Sequence, residues 1–323
     1  YYAYLKEEDG LVAGIQEKEP FTNSPDKELA SSGTYYFKTG FMMKKYFQRC
    51  ISEKTLVNNE YYVSMAYKSM IQDGLNIYAY ELEYFMQWGT PVDLHDYEYW
   101  SNIFREILHE RQQVCHKGSL LMPIAGLGNR FKERGYKEPK PLISVSGLPM
   151  ALQALNDLPS TDIQRFVLKS EMIKLNELTY QLNDLSKNAS FKIIDQTTDG
   201  QATTCVLGVE GLCLDDPITI GACDNGMLYS SEKFNNLMCD KNIDVIVWGA
   251  KGYPGAIRSP KMYGWIEMHK DTNNIKFISV KTPLENPAKD FIVTGVFTFK
   301  KARYFLDAVK SMKSRKAKIN GEY

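Results

Sequence analysis

The chain has 323 residues, 44% hydrophobic and 12% aromatic, and its 39 basic and 39 acidic side chains cancel. That length suits one large α/β domain or two ordinary ones, with enough apolar surface for a real core. The charge balance gives no reason to expect nucleic acid or a membrane surface as partner, and no apolar run approaches the roughly 18–20 residues of a membrane helix.

In chain order, the opening YYAYLKEEDG carries no signal-peptide pattern, and a start without methionine is expected of a piece of something longer. Residues 51–74, ISEKTLVNNEYYVSMAYKSMIQDG, hold an apolar-periodic helix that stops at Gly74. LNIYAYEL alternates like a strand. In FMQWGTPVDL, Thr90 is an N-cap, Pro91 takes the first helical position, and Asp93 suits the positive end of the helix dipole. That helix is expected to run to about Gln113, with VCHKGS after it as a linker. The six cysteines (Cys50, Cys115, Cys205, Cys213, Cys223, Cys239) form no CxxC pair and the four histidines are scattered. This argues against a zinc site or a disulfide framework, and for a reducing cytoplasm.

An internal repeat is visible. YAYL (Tyr2–Leu5) resembles YGWI (Tyr263–Ile266), and QEKEP (Gln16–Pro20) resembles SVKTP (Ser279–Pro283). SGTYYFK (Ser32–Lys38) matches TGVFTFK (Thr294–Lys300), and VNNEY (Val57–Tyr61) matches INGEY (Ile319–Tyr323). The offset is 295 − 33 = 262 at the glycine and 322 − 60 = 262 at the glutamate. A period near 262 in a chain of 323 divides it into residues 1–118, the back of one unit, and 119–323, the front and middle of a second. Residues 62–118 would complete the second unit within one chain, or between chains in a homodimer.

The stretch with most chemistry is LLMPIAGLGNRFKERGYKEPKPLISVSGLPM. An apolar strand breaks at Gly126 and Gly128, and a helix is expected from Asn129. Glycines there let backbone N–H groups approach an anion, and the helix start adds favourable partial charge. A dinucleotide loop needs a third glycine where Phe131 stands, and the Walker pattern is absent. What remains is a phosphate cradle. Arg130 offers a bidentate fork, and Lys140, held between two prolines, offers a point charge.

This stretch resembles the opening of the sugar-phosphate nucleotidyltransferases (NDP-sugar pyrophosphorylases), with their AGxGxRF…PKPL…GxPM signature. Further similarities follow in family order. TTDGQATTCVLG (Thr197–Gly208) resembles the nucleotide-recognition segment, and PITIGACDNGM (Pro217–Met227) places Asp224 where the family holds Mg²⁺. YGWIEM and SVKTP resemble its middle strands, NNEYYV its N-G-E-F-Y-V helix start, and FMQWGTPVDL its closing W-x-x-GTP-x-DL element. Gln87 and Trp88 stand where many relatives carry a second metal-binding aspartate.

The resemblance implies an α/β, Rossmann-like, mixed and mostly parallel sheet flanked by helices, of the nucleotide-diphospho-sugar transferase type. It implies a nucleotidyl transfer from an NTP to a sugar-1-phosphate or similar phosphorylated acceptor, with Mg²⁺ and without a general base. It assigns catalysis to Arg130, Lys140 and Asp224, with Asp224 also the metal ligand, and nucleotide binding to Ala125, Gly126, Leu127, Gly128, Asn129, Gly200 and Gln201. Lys281 and Glu322, with Lys18 and Glu60 in the first copy, would hold the sugar phosphate. Surface-glycan precursor supply is the role it implies. Two alternatives stay open: a glycosyltransferase of related fold using an NDP-sugar, and a non-catalytic nucleotide-binding module.

Overall fold

Thr39 opens the first long helix, its hydroxyl accepting from the Met42 N–H at 3.1 Å. This helix, α1 (Gly40–Ser52), packs with α2 (Val63–Gln72) against a three-stranded antiparallel sheet of β1 (Ala3–Glu8), β2 (Leu11–Glu17) and β3 (Leu29–Ala30). Ala3, Ile15, Tyr46, Cys50, Met65, Ala66 and Met70 form one buried cluster between these layers. The computed structural model describes residues 2–107, 115–126, 128–170, 176–185, 188–269, 272, 274–319, 321 and 323. They divide into two units, Tyr1–Gln87 and Trp88–Tyr323.

The expected helix end at Gly74 holds: its N–H donates to Ile71 and that of Leu75 to Met70, at 2.9 and 3.0 Å. The expected strand LNIYAYEL does not form. Val12 donates to the Ile77 carbonyl at 2.8 Å, but no ladder follows among the described residues. Leu75 and Ile77 still face the core while Tyr78 and Tyr80 face solvent. The alternation was real, but pairing is a non-local property that it does not guarantee.

The second unit begins with α3 (Pro91–Ile107), capped as expected: Thr90 Oγ1 accepts from the Asp93 N–H at 3.2 Å and donates to its carboxylate at 2.7 Å. Residues 108–114, where this helix was expected to end, lie outside the described residues. The boundary expected at 118/119 falls instead inside a strand, β4 (Cys115–Pro123). VCHKGS is therefore no linker from Cys115 onward. Cys115 and His116 already pair with Ser160 and Thr161, across an irregularity before Ser119. The polar residues that suggested a linker mark a β-bulge.

The chain continues through α4 (Asn129–Glu133), the hairpin β5 (Ser144–Val145) and β6 (Leu148–Pro149), α5 (Met150–Asn156), β7 (Ser160–Lys169), α6 (Asn176–Leu185), β8 (Ala189–Ile194), α7 (Gln201–Val209), β9 (Ile218–Ile220) and α8 (Ser231–Cys239). Then come β10 (Val245–Lys251), α9 (Pro254–Arg258), β11 (Gly264–Met268), β12 (Ile275–Val280), β13 (Phe291–Phe299) and α10 (Ala302–Ser314). The main sheet runs β12-β11-β13-β9-β4-β7-β8, with β10 also on β13. It is mixed: β9, β4, β7 and β8 pair in parallel, and the pairs from β9 through β13 and β11 to β12 are antiparallel.

β4 reads as a continuous apolar run because both of its faces are covered. Leu120, Met122 and Ile124 join Leu152, Leu155 and Leu182 on one side. Leu121 and Ala125 join Cys205, Val209, Phe305 and Val309 on the other. This period of two sorts one strand into two cores, one under α5 and α6 and the other under α7 and α10. Hydroxyls buried in the sheet are paired: those of Thr219 and Thr298 meet at 2.9 Å, and the Trp248 indole donates to Thr298 at 3.0 Å.

Local geometry recurs at or within one residue of the offset seen in the sequence. Ala3 pairs with Glu17 and Gly264 with Val280 at the open ends of the two hairpins. Lys18 and Lys281 follow, at φ +63° and +57°. Their N–H groups donate to the Tyr2 and Tyr263 carbonyls at 2.8 and 2.9 Å. α1 and α10 each span 13 residues, starting 302 − 40 = 262 apart.

Candidate active site

At the C-terminal end of β4 the backbone turns through Ile124, Ala125 and Gly126 to Gly128, which adopts φ +62° and caps α4. Ala125 is buried and Gly126 exposed, so the chain surfaces at the glycine. Gly128 accepts from Phe131 at 3.0 Å and from Lys132 at 3.3 Å, and so starts the helix that carries Asn129 and Arg130. The expected turn and helix start are thus present.

Lys140 opens a short 3-10 turn, Lys140–Leu142, after Pro139. Its ammonium forms an ion pair with the Asp224 carboxylate and lies 5.9 Å from the Phe131 ring centroid. Phe131 in turn meets Tyr136 edge-on at 5.2 Å. The β5–β6 hairpin follows the turn, and its Ser146 and Gly147 have φ +50° and +86°. Two central residues with positive φ match the type I′ hairpin, the fitting turn for a two-residue loop. Met150 donates to Ile143 across this hairpin at 2.9 Å and presents its side chain to the same cleft.

Asp224 lies just past β9, at the C-terminal end of the parallel strands, where open α/β sheets bind ligands. The Asp-Asn-Gly run makes no hairpin here. Asn225 instead donates to the Thr294 carbonyl and ties the loop to β13. Burial pushes the Cys223 thiol up to about 11, with the neighbouring Asp224 charge adding to the effect.

Gly200, at φ +136°, is the N-cap of α7. Thr198 donates to the Gly200 carbonyl at 2.9 Å, and Thr203 to the Asp199 carboxylate at 2.6 Å. The turn brings Gly200 and Gln201 to the cleft, with Thr197, Thr198 and Thr204 beside them.

The result is one cleft of about 760 Å³ that gathers Ala125, Gly126, Gly128, Asn129, Arg130, Lys140, Gly200, Gln201 and Asp224. Asp224 is the one carboxylate among its described lining residues, against two cations. Leu127 and Glu322 lie outside the described residues. Lys281 is exposed after β12 and does not line the cleft. Lys18 and Glu60 belong to the first unit, where Lys18 donates to the Tyr62 hydroxyl, which donates to Glu60. Phe131, Met150, Asn225, Thr294 and Gly295 also line the cleft and were not anticipated. Thr294-Gly295 had a signal, since that pair anchored the repeat.

Among the described residues, no group of three or more histidine, cysteine or acidic side chains could hold a metal, and no helix is long and apolar enough to cross a membrane.

No protein-family model matches the chain, and no curated protein matches it in sequence. Solved structures do resemble it. A nucleoside-diphosphate-sugar pyrophosphorylase from Vibrio cholerae RC9 superposes with a TM-score of 0.51 at 18% identity, over 63% of this chain and 83% of that one. An inositol-1-phosphate CTP transferase from T. maritima gives 0.47 at 16% identity, over 62% and 74%. The first likeness is one of fold: the chain has the mixed α/β architecture of that pyrophosphorylase.

Proposed function

We propose that the chain is a nucleotidyltransferase that joins an NTP to a sugar-1-phosphate or similar acceptor and releases pyrophosphate. The observation that carries this is convergence. Asp224, far along the chain from Arg130 and Lys140, shares one cleft with them and with a left-handed glycine loop at the ends of parallel strands.

In this reading the Gly126–Asn129 backbone and the Arg130 fork hold the β- and γ-phosphates. Lys140 neutralises charge building on the α-phosphate. An acceptor phosphate oxygen attacks the α-phosphorus in line. The bond to the β-phosphate oxygen breaks, and pyrophosphate leaves with that electron pair. The nucleophile is already an anion, so positioning and charge neutralisation suffice. That agrees with a cleft whose described lining holds no histidine.

A lone carboxylate fits Mg²⁺, which commonly binds through one or two carboxylates plus substrate phosphates and waters. Asp224 would hold the ion, which would supply charge stabilisation to the phosphates. Asp224 is engaged by Lys140 without ligand. With Mg²⁺ on Asp224, the Lys140 ammonium would be free to pair with a substrate phosphate.

We also read the recurring hairpin, left-handed lysine and 13-residue helix as a duplicated sugar-side segment, with Lys281 serving the acceptor. A cytoplasmic role in nucleotide-sugar supply follows from the same reaction.

A pyrophosphate-release assay with four NTPs and a panel of sugar-1-phosphates tests the proposal. Release that requires an acceptor supports it. Transfer from an NDP-sugar, or nucleotide binding without turnover, would replace it with a glycosyltransferase or a binding module.

A further inference from the structure

The turn that carries Gly200 and Gln201 into the cleft is held from its other side by residue 323. The Tyr323 N–H donates to the Asp199 carbonyl at 2.9 Å, and the Ala202 N–H donates to the Tyr323 carbonyl at 3.3 Å. These two bonds bracket Gly200. A Cβ on Gly200 would stand 2.2 Å from the Tyr323 carbonyl oxygen and 2.6 Å from its nitrogen. No other residue fits at 200 while this segment is seated.

Side chains reinforce the backbone contact. The Asp199 carboxylate meets the Lys318 ammonium at 3.0 Å as well as the Thr203 hydroxyl. Lys318 also lies over the Tyr323 ring, 4.6 Å from its centroid, and Lys313 lies over it at 5.7 Å. Lys318 thus links the turn to the segment that presses on it.

We infer that Asp199, Lys318 and Tyr323 are positioning residues that set which nucleobase the cleft accepts, by fixing the backbone of Asp199–Gln201. The inference rests on the nucleotidyl-transfer reading. A site that hydrogen-bonds its ligand rejects a mismatched one steeply, because buried groups are left unpaired. Such rejection needs the groups held to about 0.5 Å. A turn centred on glycine has no such rigidity of its own. Here the rigidity comes from Lys318 and Tyr323.

The test uses the full chain and calorimetric Kd values, with Mg²⁺, for ATP, CTP, GTP and UTP. Tripolyphosphate serves as the probe of the phosphate end alone. Lys318→Gln and Asp199→Asn should each shrink the spread between best- and worst-bound nucleotide by about tenfold. Tripolyphosphate binding should be unchanged, and Lys318→Arg should keep the wild-type spread. A spread unchanged in both variants overturns the inference while leaving the nucleotidyl reading intact. So does an equal loss of tripolyphosphate binding, which would mean a collapsed cleft, and so does a wild type without base preference. A wild type that binds no NTP overturns the nucleotidyl reading and this inference together.

Discussion

Gly128 and Lys140 are in backbone-to-side-chain contact: a Cβ built on Gly128 would fall 2.9 Å from the Lys140 Cβ. The glycine loop and the proline-flanked lysine are therefore one packed unit. Gly128 is required twice, for this approach and for its φ of +62°. Alanine there should cost about 1–2 kcal/mol in backbone conformation and should push Lys140 out of place. A misplacement near 1 Å can cost about 10²-fold in rate. Gly128→Ala should show a loss of that order in pyrophosphate release while circular dichroism stays native. Full activity would mean that Lys140 is not held by this contact.

The Lys140–Asp224 ion pair predicts different phenotypes for its two members. Lys140→Gln should lower turnover by roughly 10²–10³ and keep Mg²⁺-dependent nucleotide binding, because Asp224 is then unengaged. Asp224→Asn should abolish the Mg²⁺ dependence of nucleotide binding itself. Titrations at fixed NTP with and without Mg²⁺ separate the two. Identical metal dependence in Asp224→Asn and wild type would remove Asp224 from the metal site.

The residues that gather in the cleft were legible because local chemistry marks them. Glycine spacing, an arginine two residues on, and a lysine between prolines constrain the backbone wherever they occur. Asp224 was legible as the end of an apolar run. What escaped was non-local. VCHKGS looked like a linker because the pairing of Cys115 with Ser160 is invisible in composition. α3 sits in the first unit by its place in the repeat, yet residues 62–118 were expected to complete the second unit within the chain or between chains, and α3 does so within the chain. It belongs to the second because His95 bonds the Gly252 carbonyl at 3.0 Å, Asp96 pairs with Arg258, and Tyr99 meets Tyr253. The Asp199–Lys318 pair likewise joins segments far apart in the chain.

Thiol reactivity should report the cleft. Burial pushes Cys205 up to about 12 and Cys223 up to about 11, whereas Cys115, Cys213 and Cys239 are exposed. The thiolate is the reactive form, and at pH 8 the two buried thiols stay protonated. Iodoacetamide at pH 8, followed by peptide mass spectrometry, should label the three exposed cysteines first. Cys223 labelled as fast as Cys213 would contradict the raised pKa of the thiol beside Asp224.

The first unit should have its own acid limit, through Asp73. Its carboxylate accepts from Arg49 at 2.7 Å and from the Tyr46 hydroxyl at 2.9 Å, joining α1 to the end of α2. Arg49 first, and Tyr46 second, hold its pKa below the ordinary carboxylate value. A depressed folded-state pKa means that the unfolded chain binds more protons in the window between the two values. The stabilisation is therefore complete above an unfolded pKa near ~3.9 and is lost as pH falls through the lower, folded value. Hydrogen exchange of amides in α1 and α2 should accelerate across that window in the wild type. In Asp73→Asn the extra acceleration should vanish, with exchange already faster at pH 7. A variant that keeps the wild-type pH profile would show that Asp73 does not tie the two helices together.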